Sequence, residues 1–113
     1  CNHADAPHVM PTLIMGASGV SLGDEVILFF CPGGANALVN GELEKIREMH
    51  LKGLPDPVQL FDDIINEGGK VVLCELALEN KGIDPANVRE GVEILNAPSF
   101  LLEAQGAGLS LTF

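Results

Sequence analysis

Apolar residues along this chain follow two alternating patterns, one typical of helices and one typical of buried strands. Through "HVMPTLIMGASGVSLG" they recur every three or four residues, which predicts a helix from about His8 to Leu22 that ends at Gly23. Two continuous apolar runs, "VILFF" and "KVVLC", predict strands buried on both faces, as in a parallel sheet. The first run is followed by Cys31, and the second ends in Cys74.

The segments between and after these runs favour helices. Asp56 as an N-cap and Pro57 at the first helical position mark a helix that ends at Gly68. A shorter helix follows Cys74 and ends at Gly82, and "APSFLLEAQGA" predicts another. Together with a short strand at "VEIL" and a closing strand at "GLSLTF", the predicted order is α-β-α-α-β-α-(β)-α-β. This order is typical of a three-layer α/β sandwich with a mostly parallel sheet, formed by one domain over 1–113.

The predicted order lacks the strand with which such a domain normally opens. The sequence begins with the turn-rich "CNHADAP" and continues directly into a helix. A strand immediately before Cys1 would complete the first β-α-β unit, so we expect such a strand in the natural protein or a gap in the sheet. With that strand, Cys1, Cys31 and Cys74 would all follow strands at one edge of the sheet.

Composition narrows the classes of function. The 113 residues are 47% hydrophobic and 19% charged, which predicts a packed globular chain. The net charge of -10 disfavours binding to nucleic acid or to an anionic membrane surface, and it suits either simple solubility or a basic protein partner. No apolar run approaches the roughly 18 residues of a membrane span. Three cysteines are too few for a secreted disulfide scaffold, so we expect free thiols in a reducing cytoplasm.

Cys74 is the strongest candidate for chemistry. In open α/β sheets, functional groups gather at the carboxyl ends of the strands. The free N–H groups of a following helix would favour a thiolate there, although Glu75 and Glu79 oppose it. Cys31 precedes "PGG", a turn that resembles an anion-binding nest. The alternative for either cysteine is a small buried apolar side chain.

The sequence predicts neither a metal nor a cofactor. His3 and His8 lie near Cys1, but no CxxC or HxxxH spacing is present. The segments "GASG" and "CPGG" match no nucleotide-binding fingerprint.

Over 6–113, the sequence resembles the DsrE/DsrF-like family of sulfur-relay subunits. The resemblance lies in "LGDEVILFF", in "KVVLC" followed by a short helix, and in "GVEILNAPSFLLEAQGAGLSLTF". It implies a flavodoxin-like arrangement, assembly into trimers or hexamers, and a persulfide or thiosulfonate carried at the position of Cys74. Family members usually begin with an apolar strand, which this sequence lacks.

The resulting hypothesis is a sulfur-carrier or sulfurtransferase subunit. The Cys74 thiolate would take a sulfane sulfur from a donor, hold it as a persulfide and pass it to a basic carrier protein, with Cys31 as a second site residue. Two alternatives remain open: a thiol redox protein that pairs Cys74 with Cys31 or Cys1, and a non-catalytic oligomeric binding module in which Cys74 only packs. The hypothesis requires that solvent reach the Cys74 thiol.

Overall fold

Three parallel strands form the sheet, in the order β1-β2-β3. The computed structural model describes residues 1–113. The strands are β1 (Ile27–Phe30), β2 (Lys70–Cys74) and β3 (Val92–Leu95). The helices are α1 (Ala6–Ser21), α2 (Glu42–Glu48), α3 (Pro57–Asn66), α4 (Leu76–Asn80) and α5 (Ala97–Glu103), with 3₁₀ segments at Pro32–Leu38 and Pro85–Asn87. The prediction of an α/β domain with a parallel sheet flanked by helices is therefore confirmed.

One face of the sheet, here called the core face, carries Phe30, Val71 and Leu73. Four helices cover this face, because α1 to α4 all contribute side chains to the same buried cluster. α1 lies close to β1, since a Cβ added at Gly16 would come within 2.9 Å of the Leu28 side chain. The small residue allows the helix to press against the strand. The helical contributors to the cluster include Val9, Met10, Leu13, Leu43, Ile46, Phe61, Ile64 and Ala77.

The opposite face, here called the α5 face, is covered by a single helix. Phe29 and Val72 are paired across β1 and β2 and share this face, because successive side chains alternate along a strand. The ring of Phe100 in α5 stacks on the ring of Phe29, with centroids 4.1 Å apart. At the end of the helix, the carboxylate of Glu103 accepts from the Lys70 ammonium at 3.3 Å. α5 thus runs back across the face from the end of β3 towards the start of β2.

The predicted closing strand at the end of the chain is not formed. The alternating apolar residues of 108–113 predict a closing strand, but this segment has no regular secondary structure. A strand needs a neighbour for its N–H and C=O groups. The tail's only backbone hydrogen bond outside its own neighbourhood joins the Phe113 oxygen to the Asn2 N–H (3.0 Å). β1 is an edge strand of the sheet.

Arg89 connects the second 3₁₀ segment to two helices. Its guanidinium donates to the Glu44 carboxylate of α2 at 2.7 Å and lies 5.0 Å from the centre of the Phe61 ring of α3. Its backbone N–H donates to the Leu38 oxygen at 2.8 Å. The hydrogen bond from Arg89 holds the pKa of the Glu44 carboxyl below its ordinary value. The interaction therefore stabilises the ionised carboxylate in the folded state.

None of the helices combines the length and the apolar character that crossing a bilayer would require.

Candidate functional site

Cys74 is the last residue of β2, and its side chain is buried. Only 5% of the residue is exposed. It is paired with Leu95 of β3 and lies on the α5 face, two residues beyond Val72. The chain then turns at Glu75, whose N–H donates to the Leu95 oxygen at 2.9 Å. Cys74 thus lies at the carboxyl end of a strand but is largely shielded from solvent, whereas the sulfur-carrier hypothesis requires that solvent reach its thiol.

The sequence pattern predicts that the first turn of α4 stabilises a thiolate at Cys74, but the structure shows no such interaction. The helix has five residues, and Glu75 at its N-cap makes no side-chain capping bond. Ala77 of this helix belongs to the core-face cluster, whereas the Cys74 side chain points to the α5 face. The thiol receives no hydrogen bond from the first turn of α4.

Cys31 follows β1 directly and is half-buried. Its backbone is still extended, with φ -73° and ψ 170°. The last paired residues of β1 and β2 are Phe30 and Leu73, and Cys31 and Cys74 are the residues that follow them. Cys31 lies beyond the paired part of β1, but its extended backbone continues the alternation and directs its side chain to the α5 face. The two predicted site residues therefore follow one another's neighbours at the same end of adjacent strands, Cys31 partly exposed and Cys74 buried.

The "CPGG" turn is not a free anion-binding nest. The Gly33 N–H donates to the Asn2 side-chain oxygen at 3.1 Å, and the Gly34 N–H donates to the Cys31 oxygen at 2.9 Å. A Cβ added at Gly34 would lie 2.7 Å from the Cys1 oxygen. The glycines therefore allow the turn to pack against the first two residues. Asn2 is a site residue that sequence reasoning missed, since a polar residue in a loop carries no pattern.

Cys1 is bonded to Cys31 through the backbone, since its oxygen accepts from the Cys31 N–H at 2.9 Å, but its side chain points to the core face. Its sulfur is 3.2 Å from the His3 oxygen and 3.9 Å from the His8 oxygen, and its side chain packs against the core-face cluster. The three cysteines are at the same end of the sheet, as expected, but only Cys31 and Cys74 share a face. The geometry thus disfavours a pairing of Cys74 with Cys1.

An apolar groove is lined by none of the thiols. It has a volume of about 670 Å³ between the first half of α1 and the residues that follow α2, and its wall includes Met10, Ile46, Met49, Leu51 and Leu54. The structure contains no group of three His, Cys, Asp or Glu side chains arranged to hold a metal ion.

Comparison with known proteins gives one informative similarity. The sequence matches no family model. Over 97 residues it is 31% identical to "Uncharacterized protein MJ0760" of Methanocaldococcus jannaschii. The match covers 86% of this chain and 34% of the archaeal protein, so the chain spans about a third of that relative's length.

Proposed function

We propose that this domain is a sulfur carrier in which Cys31 accepts a sulfane sulfur and Cys74 stores it. The observation that supports the proposal is that Cys74 ends β2 and Cys31 directly follows the adjacent parallel strand β1, with different exposure. The half-buried Cys31 is the thiol that a donor reaches first. The buried Cys74 is suited to protecting a persulfide from reductants in solution. The DsrE/DsrF-like resemblance supports the same chemistry at Cys74.

Two exchange steps account for the transfer. The Cys31 thiolate attacks the outer sulfur of a donor persulfide; the donor's S–S bond breaks, a new S–S bond forms on Cys31, and the donor leaves as a thiolate. The Cys74 sulfur then attacks the terminal sulfur of the Cys31 persulfide and Cys31 leaves, with the Cys74 proton passing to it. No electrons are lost or gained overall. The same steps in reverse deliver the sulfur to an acceptor thiol.

α5 controls access to Cys74 in this proposal. The helix begins just after Leu95, the neighbour of Cys74, and runs across the face to Lys70. None of its residues is buried, so it is held mainly by the Phe100–Phe29 stack and the Glu103–Lys70 ion pair. Such a helix can leave the face without unfolding the core-face cluster.

The proposed partner rests on the net charge of the protein, and the proposed oligomeric state rests on the family resemblance. A net charge of -10 favours a basic carrier protein as the partner that receives the sulfur. The family resemblance suggests a homotrimer or homohexamer with a flavodoxin-like fold, in the cytoplasm. These remain predictions.

Thiol–disulfide exchange is the second candidate function. The spacing of about 4.8 Å between neighbouring strands falls within the Cα separations that disulfides span. In that case Cys31 and Cys74 would form a bond to each other and pass two electrons and two protons to a partner disulfide. The strand register favours this pair over Cys74 with Cys1.

Mass spectrometry of the intact protein after exposure to polysulfide separates these functions. Sulfur loading adds the mass of one sulfur atom, whereas disulfide formation removes two hydrogens. We expect loading of the wild type and of the Cys1→Ser control, and at least tenfold slower loading of Cys31→Ser. Loading that is absent in the wild type, or unaffected by both Cys31→Ser and Cys74→Ser, would contradict the proposal and favour a binding module.

A further inference from the structure

α1 carries more apolar surface than the core needs. Its 16 residues include no Asp, Glu, Lys or Arg. Val9 and Leu13 are fully buried in the core-face cluster. A second apolar stripe runs beside them at helical spacing and is formed by Pro7, Met10, Pro11 and Ile14. A helix that is apolar on more than one side is normally covered on each of those sides.

α2 and the loop after it lie opposite this second stripe. Together they form a groove of about 670 Å³, here called the α1–α2 groove, and small-molecule sites typically occupy about 300 to 1,000 Å³. The α2 side has the same helical spacing and consists of Glu42, Lys45, Ile46 and Met49. The loop turns at His50, which has φ 49°, and adds Leu51 and Leu54 to the wall.

The walls of the α1–α2 groove are apolar although solvent reaches them. Two of the lining residues, Met10 and Ile46, are buried. Of the ten large apolar side chains that the protein exposes, three line this one groove: Met49, Leu51 and Leu54. Exposed apolar side chains that are gathered in one place, rather than scattered singly, mark a binding site.

A cationic group borders one end of the groove. A smaller depression of about 190 Å³ adjoins it, because four residues line both: Met10, Ile46, Leu51 and Leu54. Arg47 and His50 line this depression. The carboxylate nearest to the Arg47 guanidinium is that of Glu48, at 3.9 Å, which is beyond hydrogen-bonding distance. Arg47 is therefore free to bind an anionic group.

The carboxylates at the rim already have partners. Three of them border the groove or the depression, and their pairings are Asp5 with the His8 ring, Glu42 with the Lys45 ammonium, and Asp56 with the Val58 N–H. The charge left without a close partner at this rim is thus positive. Charge complementarity therefore favours an anionic ligand over a cationic one.

We propose that the α1–α2 groove binds a medium-chain fatty acid, with the acyl chain along the apolar walls and the carboxylate on the Arg47 guanidinium. A guanidinium matches a carboxylate with two parallel hydrogen bonds. The α1 stripe from Pro7 to Ile14 is about 10 Å long at 1.5 Å per residue, which suits a chain of medium length. The net charge of -10 favours the free acid in solution over an anionic membrane surface as the source. This inference is independent of the proposed sulfur chemistry, because no cysteine lines the groove.

Titration calorimetry with octanoate, octanol and acetate tests the proposed ligand. We expect one saturable site for octanoate, about tenfold weaker binding of octanol because it cannot pair with the guanidinium, and no binding of acetate, which lacks the chain. Absence of octanoate binding would overturn the proposal. Equal affinities for octanoate and octanol would also overturn it.

Two charge variants give a matched control. Arg47→Gln and Lys81→Gln each remove one exposed positive charge, but Lys81 lies outside the groove and the depression. Arg47→Gln should weaken octanoate binding about tenfold and leave octanol binding unchanged, whereas Lys81→Gln should change neither. Equal effects of the two variants on octanoate would contradict the role of Arg47.

A second pair of variants tests the apolar wall. Leu54→Ser should weaken the binding of both octanoate and octanol, whereas Leu22→Ser, at a residue that is 81% exposed and outside the groove, should not. Light scattering on the same variants reports the oligomeric state. If Leu54→Ser dissociates an oligomer and the wild type binds no octanoate, a second copy fills the groove and the proposal is overturned.

Discussion

Removing the Phe100 ring should expose Cys74 while leaving the core-face cluster intact. The ring stacks on Phe29 at 4.1 Å with an interplanar angle of 11°, and no residue of α5 is buried. Such an aromatic pair contributes about 1 kcal/mol beyond its buried area. With the partial burial of the ring, Phe100→Ala should destabilise the closed position of α5 by about 1 to 2 kcal/mol, which raises the open population about 5- to 30-fold.

The assay is the rate at which iodoacetamide labels Cys74, followed by mass spectrometry of its peptide. If labelling occurs through local opening of α5, its rate should rise by the same factor in Phe100→Ala. Leu101→Ala is the matched control, because Leu101 is in the same helix and 64% exposed. The rate at Cys31, which is already partly exposed, should rise by a smaller factor than the rate at Cys74 in Phe100→Ala and should not change in Leu101→Ala. A Cys74 rate that is unchanged by Phe100→Ala would refute the role of α5 as the cover.

Three further predictions concern stability. Arg89→Ala removes the 2.7 Å hydrogen bond to Glu44 and should lower the free energy of unfolding by about 1 to 3 kcal/mol in urea titrations, and an unchanged value would contradict this role. The pKa of Glu44 is lower in the folded state than its ordinary value of 4.5. The ionised Glu44 carboxylate therefore stabilises the folded protein above about pH 4.5, and this contribution is lost as the pH falls through the folded-state pKa. The stability difference between wild type and Glu44→Gln should therefore shrink on acidification over that range, and a constant difference would argue against the assignment. Gly34→Ala should destabilise the protein because its Cβ would lie 2.7 Å from the Cys1 oxygen, whereas Gly108→Ala, with open space around it, should have little effect in the same thermal scans.

The sequence predicts the parts of the fold that depend on local pattern. The runs that become β1 and β2 are visible as continuous apolar segments, and Asp56 with Pro57 marks the start of α3 because the carboxylate accepts from the Val58 N–H. The alternating tail is wrongly predicted as a strand, because alternation does not reveal whether a partner strand is present. Local pattern thus identifies elements more reliably than their pairing.

The candidate site is only partly predictable for the same reason. The positions of Cys31 and Cys74 at strand ends follow from the sequence, but their shared face follows from the register of two strands some 40 residues apart, which a single sequence does not determine. The position of α5 on the α5 face depends on the helix folding back so that Phe100 meets Phe29. That contact joins distant parts of the chain and has no local signal.

The most direct test of the central claim is the location of the sulfane sulfur during loading. Wild-type protein would be mixed with polysulfide, trapped with an alkylating reagent at successive times and digested for peptide mapping. The two-thiol account predicts that the sulfur appears first on the peptide of Cys31 and then accumulates on the peptide of Cys74. Sulfur found only on Cys1, or on Cys31 without any later transfer to Cys74, would contradict it.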